Sequence, residues 1–269
     1  MLRRWIALVC CGLILFPAES SAAQGGESPA LTPHPCDVVP PGEIDGSTIW
    51  CAALDVSLDR ADRADPGGPQ VTLAVAVLRS SAASPALDPV LFLGGDAGLS
   101  VLAPDSLADL AARVAPFRAQ RHVILFDARG AGLSMPRFEC TPGFATDLEA
   151  CLADLAARGL KPEQFTASAL ASDAAALMQA LDYPAYNLYG LSYGAQVALA
   201  LLAEPASADR VRSIVLDAAL PLPISTLTPY HAAFELARYG VFRSAFALCD
   251  ADPDCSGAYP YMRERFVTL

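Results

Sequence analysis

Lysine and histidine are nearly absent from this 269-residue chain. One lysine, Lys161, stands against seventeen arginines, and the histidines are three: His34, His122 and His231. The lysine shortage is a compositional bias without functional content. The histidine shortage, together with the lack of any C-x-x-C, leaves no ligand set at zinc spacing. Positive charge is also scarce. The formal net charge is −11, and residues 1–23, with Arg3, Arg4 and Glu19, carry +1, so the remainder stands at −12. Such a surface lacks the basic footprint that nucleic-acid phosphates or anionic membranes require, so neither partner is expected. No internal repeat is visible. The run "WIALVCCGLILF" is short for a membrane span. Behind Arg3 and Arg4, and ahead of the small residues "SAA" at 21–23, it reads as a signal peptide over 1–23. The rival reading is a membrane anchor; a lipoprotein signal fits less well, because Val9 precedes Cys10. A secreted or periplasmic protein, with no membrane contact beyond its leader, is the expectation.

More than half of the residues are apolar, enough for one sizeable core. Six cysteines remain once Cys10 and Cys11 leave with the leader: Cys36, Cys51, Cys140, Cys151, Cys249 and Cys255. An even number in an exported chain reads as disulfides. Fifteen connectivities are formally open, and pairing of neighbours is the simplest. Each such short loop would contribute about 2–3 kcal/mol on the chain-entropy account. Residues 24–48, rich in Pro, Gly and Ser, read as an extended arm. "TIWCAALDVSLD" and "VTLAVAVLRS" read as an antiparallel pair. From residue 90 to 217 short apolar runs ("PVLFLGG", "HVILFD", "YNLYG", "VRSIVLD") alternate with helix-length segments. Helices are predicted from Asp105, over "TDLEACLADLAAR", from about Thr166, after Ser192, and over "TPYHAAFELARYGVFRSAFALC", followed by a loop closed by Cys249 and Cys255. Continuous rather than alternating apolar strands predict an α/β fold, a mostly parallel sheet with helices on both faces. Ligands of such sheets bind beyond the carboxyl ends of the strands, where Gly94–Gly95, Gly130–Gly132 and Gly190–Gly194 fall.

The stretch "YNLYGLSYGAQVALALL" carries the chemistry. G-L-S-Y-G between a strand and a helix fits a nucleophile elbow, a tight turn that lifts the Ser192 hydroxyl clear of the sheet. The bland alternative is a serine that caps the following helix. In the first reading the N–H of Tyr193, at a helix N-terminus, would stabilise an oxyanion. The loop "FLGGDAGLS" would supply the second donor, around Gly95 and Asp96.

These segments together resemble the proline iminopeptidase and tripeptidyl aminopeptidase family of α/β-hydrolases. The resemblance rests on "GGDAG", "FDARGAGLS", "NLYGLSYGAQVALALLAEPA" and "DRVRSIVLDAALP", and it runs from about residue 36 to the end. The tail "ALCDADPDCSGAYP" is similar to the secreted, tripeptidyl aminopeptidase-like branch. Two positions depart from the family pattern: Asp96 stands for the proline of G-G-P-G, and Ala128 for the glutamine of D-Q-R-G. The carboxylate of Asp96 would weaken an oxyanion hole or help to hold a cationic amino terminus.

The resemblance implies an α/β-hydrolase core over 49–225, with six strands, and the start of a helical lid over 226–269. It implies cleavage of small peptides near their amino ends, or of related esters and amides, through an acyl-Ser192, with no cofactor. It assigns Asp127 and Arg129 to shaping a turn. The family's order of serine, acid, then histidine leaves few partners here. His231 is a candidate base and Asp217, at a strand end, a candidate acid. His122 sits at the wrong end of its strand and His34 in the arm. The family's base lies beyond the lid and two further strands, so the expectation is an N-terminal portion of a hydrolase, truncated at its C-terminal end. Loss of a triad histidine costs on the order of 10⁶ in turnover, so such a portion would be nearly inactive alone. Its open sheet edge would invite pairing with another chain. The competing readings are an inactive binding module of the same fold and an esterase that uses His231.

Overall fold

Seven strands and nine α-helices occur among the residues described by the computed structural model: 30–59, 68–94, 98–141, 147–219 and 227–267. In chain order they are β1 (Leu31–His34), β2 (Ile49–Ser57), β3 (Gln70–Leu78), β4 (Val90–Leu93), α1 (Pro104–Arg113), α2 (Ala115–Arg118), β5 (Val123–Phe126), α3 (Leu148–Ala157), α4 (Ala167–Ala180), β6 (Tyr186–Leu191), α5 (Tyr193–Leu202), α6 (Pro205–Ala208), β7 (Val211–Asp217), α7 (Leu227–Ala251), α8 (Pro253–Ala258) and α9 (Met262–Val267). A 3₁₀ turn, Pro162–Phe165, precedes α4. The proposed leader, residues 1–23, lies outside the described residues. Among those described, no helix is long and apolar enough to cross a membrane.

The strands form one sheet in the order β1-β2-β3-β5-β4-β6-β7. β2 and β4–β7 run one way, and β1 and β3 the other. The β2–β3 pair is antiparallel as expected. β1 was not expected: Leu31–His34 lies within the presumed arm and pairs with β2 along the sheet edge.

Successive strand residues face opposite sides of the sheet. In β5, Ile124 and Phe126 join the core under α4 and α5, while Val123 and Leu125 join the core under α1. β4 divides likewise, Leu91 and Leu93 to one side and Val90 and Phe92 to the other. A strand buried on both faces has no polar register, hence the unbroken apolar runs.

The helix signals hold in detail. Asp147 caps α3, accepting from the Ala150 N–H at 3.1 Å, and Thr166 caps α4. α1 starts one residue ahead of Asp105, which lies in its first turn. The loop expected between Cys249 and Cys255 is the turn from α7 into α8, capped by Asp252. The cysteines pair as sequence neighbours, Cys36–Cys51, Cys140–Cys151 and Cys249–Cys255, with Cα–Cα distances of 5.1, 5.2 and 5.1 Å.

Candidate functional site

β6 ends at Leu191 and α5 begins at Tyr193, so the whole change of direction falls on Ser192. Its backbone has φ 52° and ψ −113°, a conformation that side chains other than glycine rarely adopt. The Ser192 side chain makes no capping bond to α5, which argues against a mere helix-capping role. Its N–H donates to the Asp217 carbonyl at 2.8 Å, tying the turn to the end of β7. The flanking glycines are required sterically. A Cβ on Gly190 would lie 2.7 Å from the Ala195 Cα, and one on Gly194 would overlap the Leu93 and Gly94 carbonyls. α5 therefore seats its N-terminus directly against the end of β4. The first N–H groups of a helix have no intrahelical partner. That of Tyr193 is thus available beside the Ser192 hydroxyl.

A buried carboxylate joins the neighbouring loops. Asp127, fully buried at the end of β5, accepts from Ser100 Oγ (2.7 Å), the N–H groups of Val101 (2.8 Å) and Leu102 (3.1 Å), and that of Leu133 (2.8 Å). One side chain thus fixes the loop after β4 to the loop after β5. Arg129 does the same on the other side. Its guanidinium forks onto Asp173 at 2.7 and 2.8 Å. It also donates to the carbonyls of Ser57, Leu58 and Gln164. Five contacts use all five donors of the group. Both residues shape turns, as expected. Asp173 was overlooked, although a lone acid in the apolar helical stretch "SALASDAAALM" was a readable signal.

Two of the three histidines lie away from the serine turn, as expected. His122, at the start of β5, accepts the Ser80 N–H on Nδ1 at 3.0 Å, at the opposite end of the sheet; burial, with the charge of Arg79, lowers its pKa. His34 lies on the edge strand β1. His231 lies in α7, but its side chain falls outside the described residues. Asp217 does end β7 beside the serine turn, and its carboxylate accepts from the Tyr189 hydroxyl at 2.6 Å. That bond, foremost, raises the Tyr189 pKa. Gly95 and Asp96 lie outside the described residues.

Beside the turn, on the α4–α5 side of the sheet, is a cavity of about 470 Å³. Gly94, Leu99, Ala128, Gly130, Tyr193 and Gly194 ring it. Its depth is apolar: Phe126, Leu170 and Val197 are buried, and Phe138 stacks on Phe165 with centroids 4.3 Å apart. These two rings come from the long connection after β5 and from the 3₁₀ turn. Neither segment has a periodicity that would have marked them.

Residues 88–247 match the family model described as the alpha/beta hydrolase fold. Solved structures that resemble the chain include a protein from Agrobacterium vitis described as a hydrolase (21% identity, covering 64% of this chain and 53% of that one, TM-score 0.41). Another is a proline iminopeptidase-related protein from Thermus thermophilus (22% identity, 62% and 44% covered, TM-score 0.39). A third is an alpha/beta hydrolase fold protein from Chitinophaga pinensis (18% identity, 63% and 48% covered, TM-score 0.39). The chain spans about half the length of these proteins. No curated protein matches it. The family model extends over more than half of the chain and takes in the serine turn, both glycine loops and the strands that carry them: the protein belongs to the α/β-hydrolase family.

Proposed function

We propose that the protein is an exported serine hydrolase of the aminopeptidase type, which cleaves amide or ester bonds of small peptides or related compounds through an acyl-Ser192. The observation that carries this reading is the Ser192 backbone, held at φ 52° and ψ −113° between β6 and α5 with its side chain not spent on a cap. A strained serine at a helix N-terminus beside an apolar cavity is costly to maintain and has an evident use. Ser192 Oγ would attack the scissile carbonyl, giving its proton to a base. The carbonyl oxygen, now negative, would take the Tyr193 N–H and a second donor from the Gly95–Asp96 loop. The base would return the proton to the leaving amine or alcohol, and water would release the acyl group. The three disulfides support export, since such bonds persist in oxidising compartments.

His34 and His122 are held far from the serine turn by their strands, and Asp217 is bonded to Tyr189. The test is a fluorophosphonate probe on the purified chain. Slow labelling is expected, at the residual rate that the serine turn and its N–H donors sustain without a triad histidine, and it should vanish in Ser192→Ala. Loss of labelling in His231→Ala as well would instead favour an esterase that uses this histidine. A folded chain that takes no label would point to an inactive binding module.

A further inference from the structure

We infer that Tyr189 and Asp217 are positioning residues for Ser192: the bond between their side chains holds the end of β7, and through the Asp217 carbonyl it holds the backbone that aims the nucleophile. The word nucleophile rests on the acyl-Ser192 reading; the tie itself rests on geometry alone.

Two strained residues meet at this point. Ser192, after the end of β6, has φ 52°, and Ala218, after the end of β7, has φ 51°. Residues other than glycine keep such angles only where their surroundings over-determine them. The peptide group between Asp217 and Ala218 joins the two, because its carbonyl accepts the Ser192 N–H at 2.8 Å. The ladder alone fixes that group poorly. Among the described residues β7 pairs with β6 only, and the end of such a strand is among the first places to open. Side chains supply what the ladder lacks. Val215 lies opposite Tyr189 and Asp217 opposite Leu191, so Tyr189 and Asp217 are diagonal neighbours on one face. The Tyr189 hydroxyl donates to the Asp217 carboxylate at 2.6 Å, a charge-assisted bond. The ring that carries the hydroxyl is itself held. It stacks on Phe92 of β4 with centroids 5.5 Å apart and meets Phe117 of α2 edge-on at 5.9 Å. Support thus runs from α2 and β4 through Tyr189 and Asp217 to the Ser192 N–H. Tyr189 packs against the core under α1, on the face of the sheet away from the cavity. The pair therefore acts on Ser192 through backbone and not by touching a substrate in the cavity.

The experiment is the rate at which a fluorophosphonate labels Ser192 in the full chain, read beside hydrogen exchange of the Ser192 amide. Tyr189→Phe keeps the stacked ring and removes the donor. It should slow labelling and speed exchange at Ser192, each about tenfold, the effect of one such bond. The slowing should fall on the limiting rate at saturating probe and leave the half-saturating concentration unchanged. Asp217→Ala should match Tyr189→Phe, and the double variant should be no slower than either single one. Asp217→Asn, whose amide oxygen can still accept the hydroxyl, should recover most of the loss. Labelling or exchange that ignores Tyr189→Phe, losses that add in the double variant, or an Asp217→Asn as slow as Asp217→Ala would each overturn the inference. The last would show that charge, and not the tie, is at work. The two readings fail separately. A wild-type chain that takes no label loses the nucleophile, and exchange at Ser192 then decides the tie by itself. A labelled chain whose Ser192 exchange is indifferent to Tyr189→Phe and Asp217→Ala keeps the nucleophile and loses the tie.

Discussion

At the scale of single residues, conformation and protonation each make a measurable demand. Ser192 occupies a backbone region in which a non-glycine residue costs about 1–3 kcal/mol. Glycine would relieve that strain, less the extra freedom it gives the unfolded chain. Ser192→Gly is therefore expected to be about 1 kcal/mol more stable than Ser192→Ala in denaturant titrations, although neither can be labelled. Equal stabilities would mean that the turn is not strained. His122 makes the second demand. Its Nδ1 accepts the Ser80 N–H, so the ring must be neutral, and burial depresses its pKa below the ordinary 6.5. A depressed folded pKa means the unfolded chain binds the proton more tightly. The contribution of His122 is thus complete above pH 6.5 and is lost as pH falls from there through the lower, folded value. Urea midpoints measured from about pH 8 to 5 should fall over that window, and the fall should flatten in His122→Gln. The sequence revealed the Ser192 turn through its glycines, and the turn-shaping roles of Asp127 and Arg129 through the family resemblance. It did not reveal that Asp173 answers Arg129, because that contact joins residues forty-four positions apart.

Elements were legible where their burial leaves a pattern. β4 to β7 and the helices between them follow from apolar runs and capping residues. β1 did not, for a physical reason: "LTPH" includes Pro33, which has no N–H for a ladder and is tolerated only at a sheet edge. The Cys36–Cys51 bridge helps to hold this poor strand former against β2, since the backbones of His34 and Cys51 are already partners in the ladder. Between elements, the strongest joint is the Arg129 fork, which binds the loop after β5, the end of β2, the 3₁₀ turn and α4. Both side chains of the Arg129–Asp173 pair are fully buried. Arg129→Met would strand a buried carboxylate, at about 3–5 kcal/mol by the behaviour of broken buried pairs. Arg129→Lys should recover little of this, because an ammonium cannot reproduce the planar fork. Chemical denaturation of the two variants measures both losses; a loss below about 1 kcal/mol for either would refute the joint.

For the whole molecule, strand order was beyond the sequence. The exchange that places β5 between β3 and β4 is set by how the crossover connections pack, and no local pattern records it. The open side of β7 is a consequence of that order. Among the described residues β7 pairs with β6 alone, and Val215 and Leu216, on opposite faces, are both exposed, at 46% and 38%. An edge of this kind is a template for another strand. The chain is expected to self-associate as concentration rises, and light scattering should show Val215→Lys holding the monomer to higher concentration. Association that the substitution leaves untouched would locate the contact elsewhere.

The carboxylate of Asp127 leaves no room for an amide in its place. Two peptide N–H groups approach one oxygen, and a hydroxyl and a third N–H approach the other. Whichever way an asparagine were rotated, its NH₂ would confront at least one hydrogen that has nowhere to turn. Both rims of the cavity would then slacken together, so a change of one atom type at the end of the sheet's middle strand would be felt as a change in what the protein can grip.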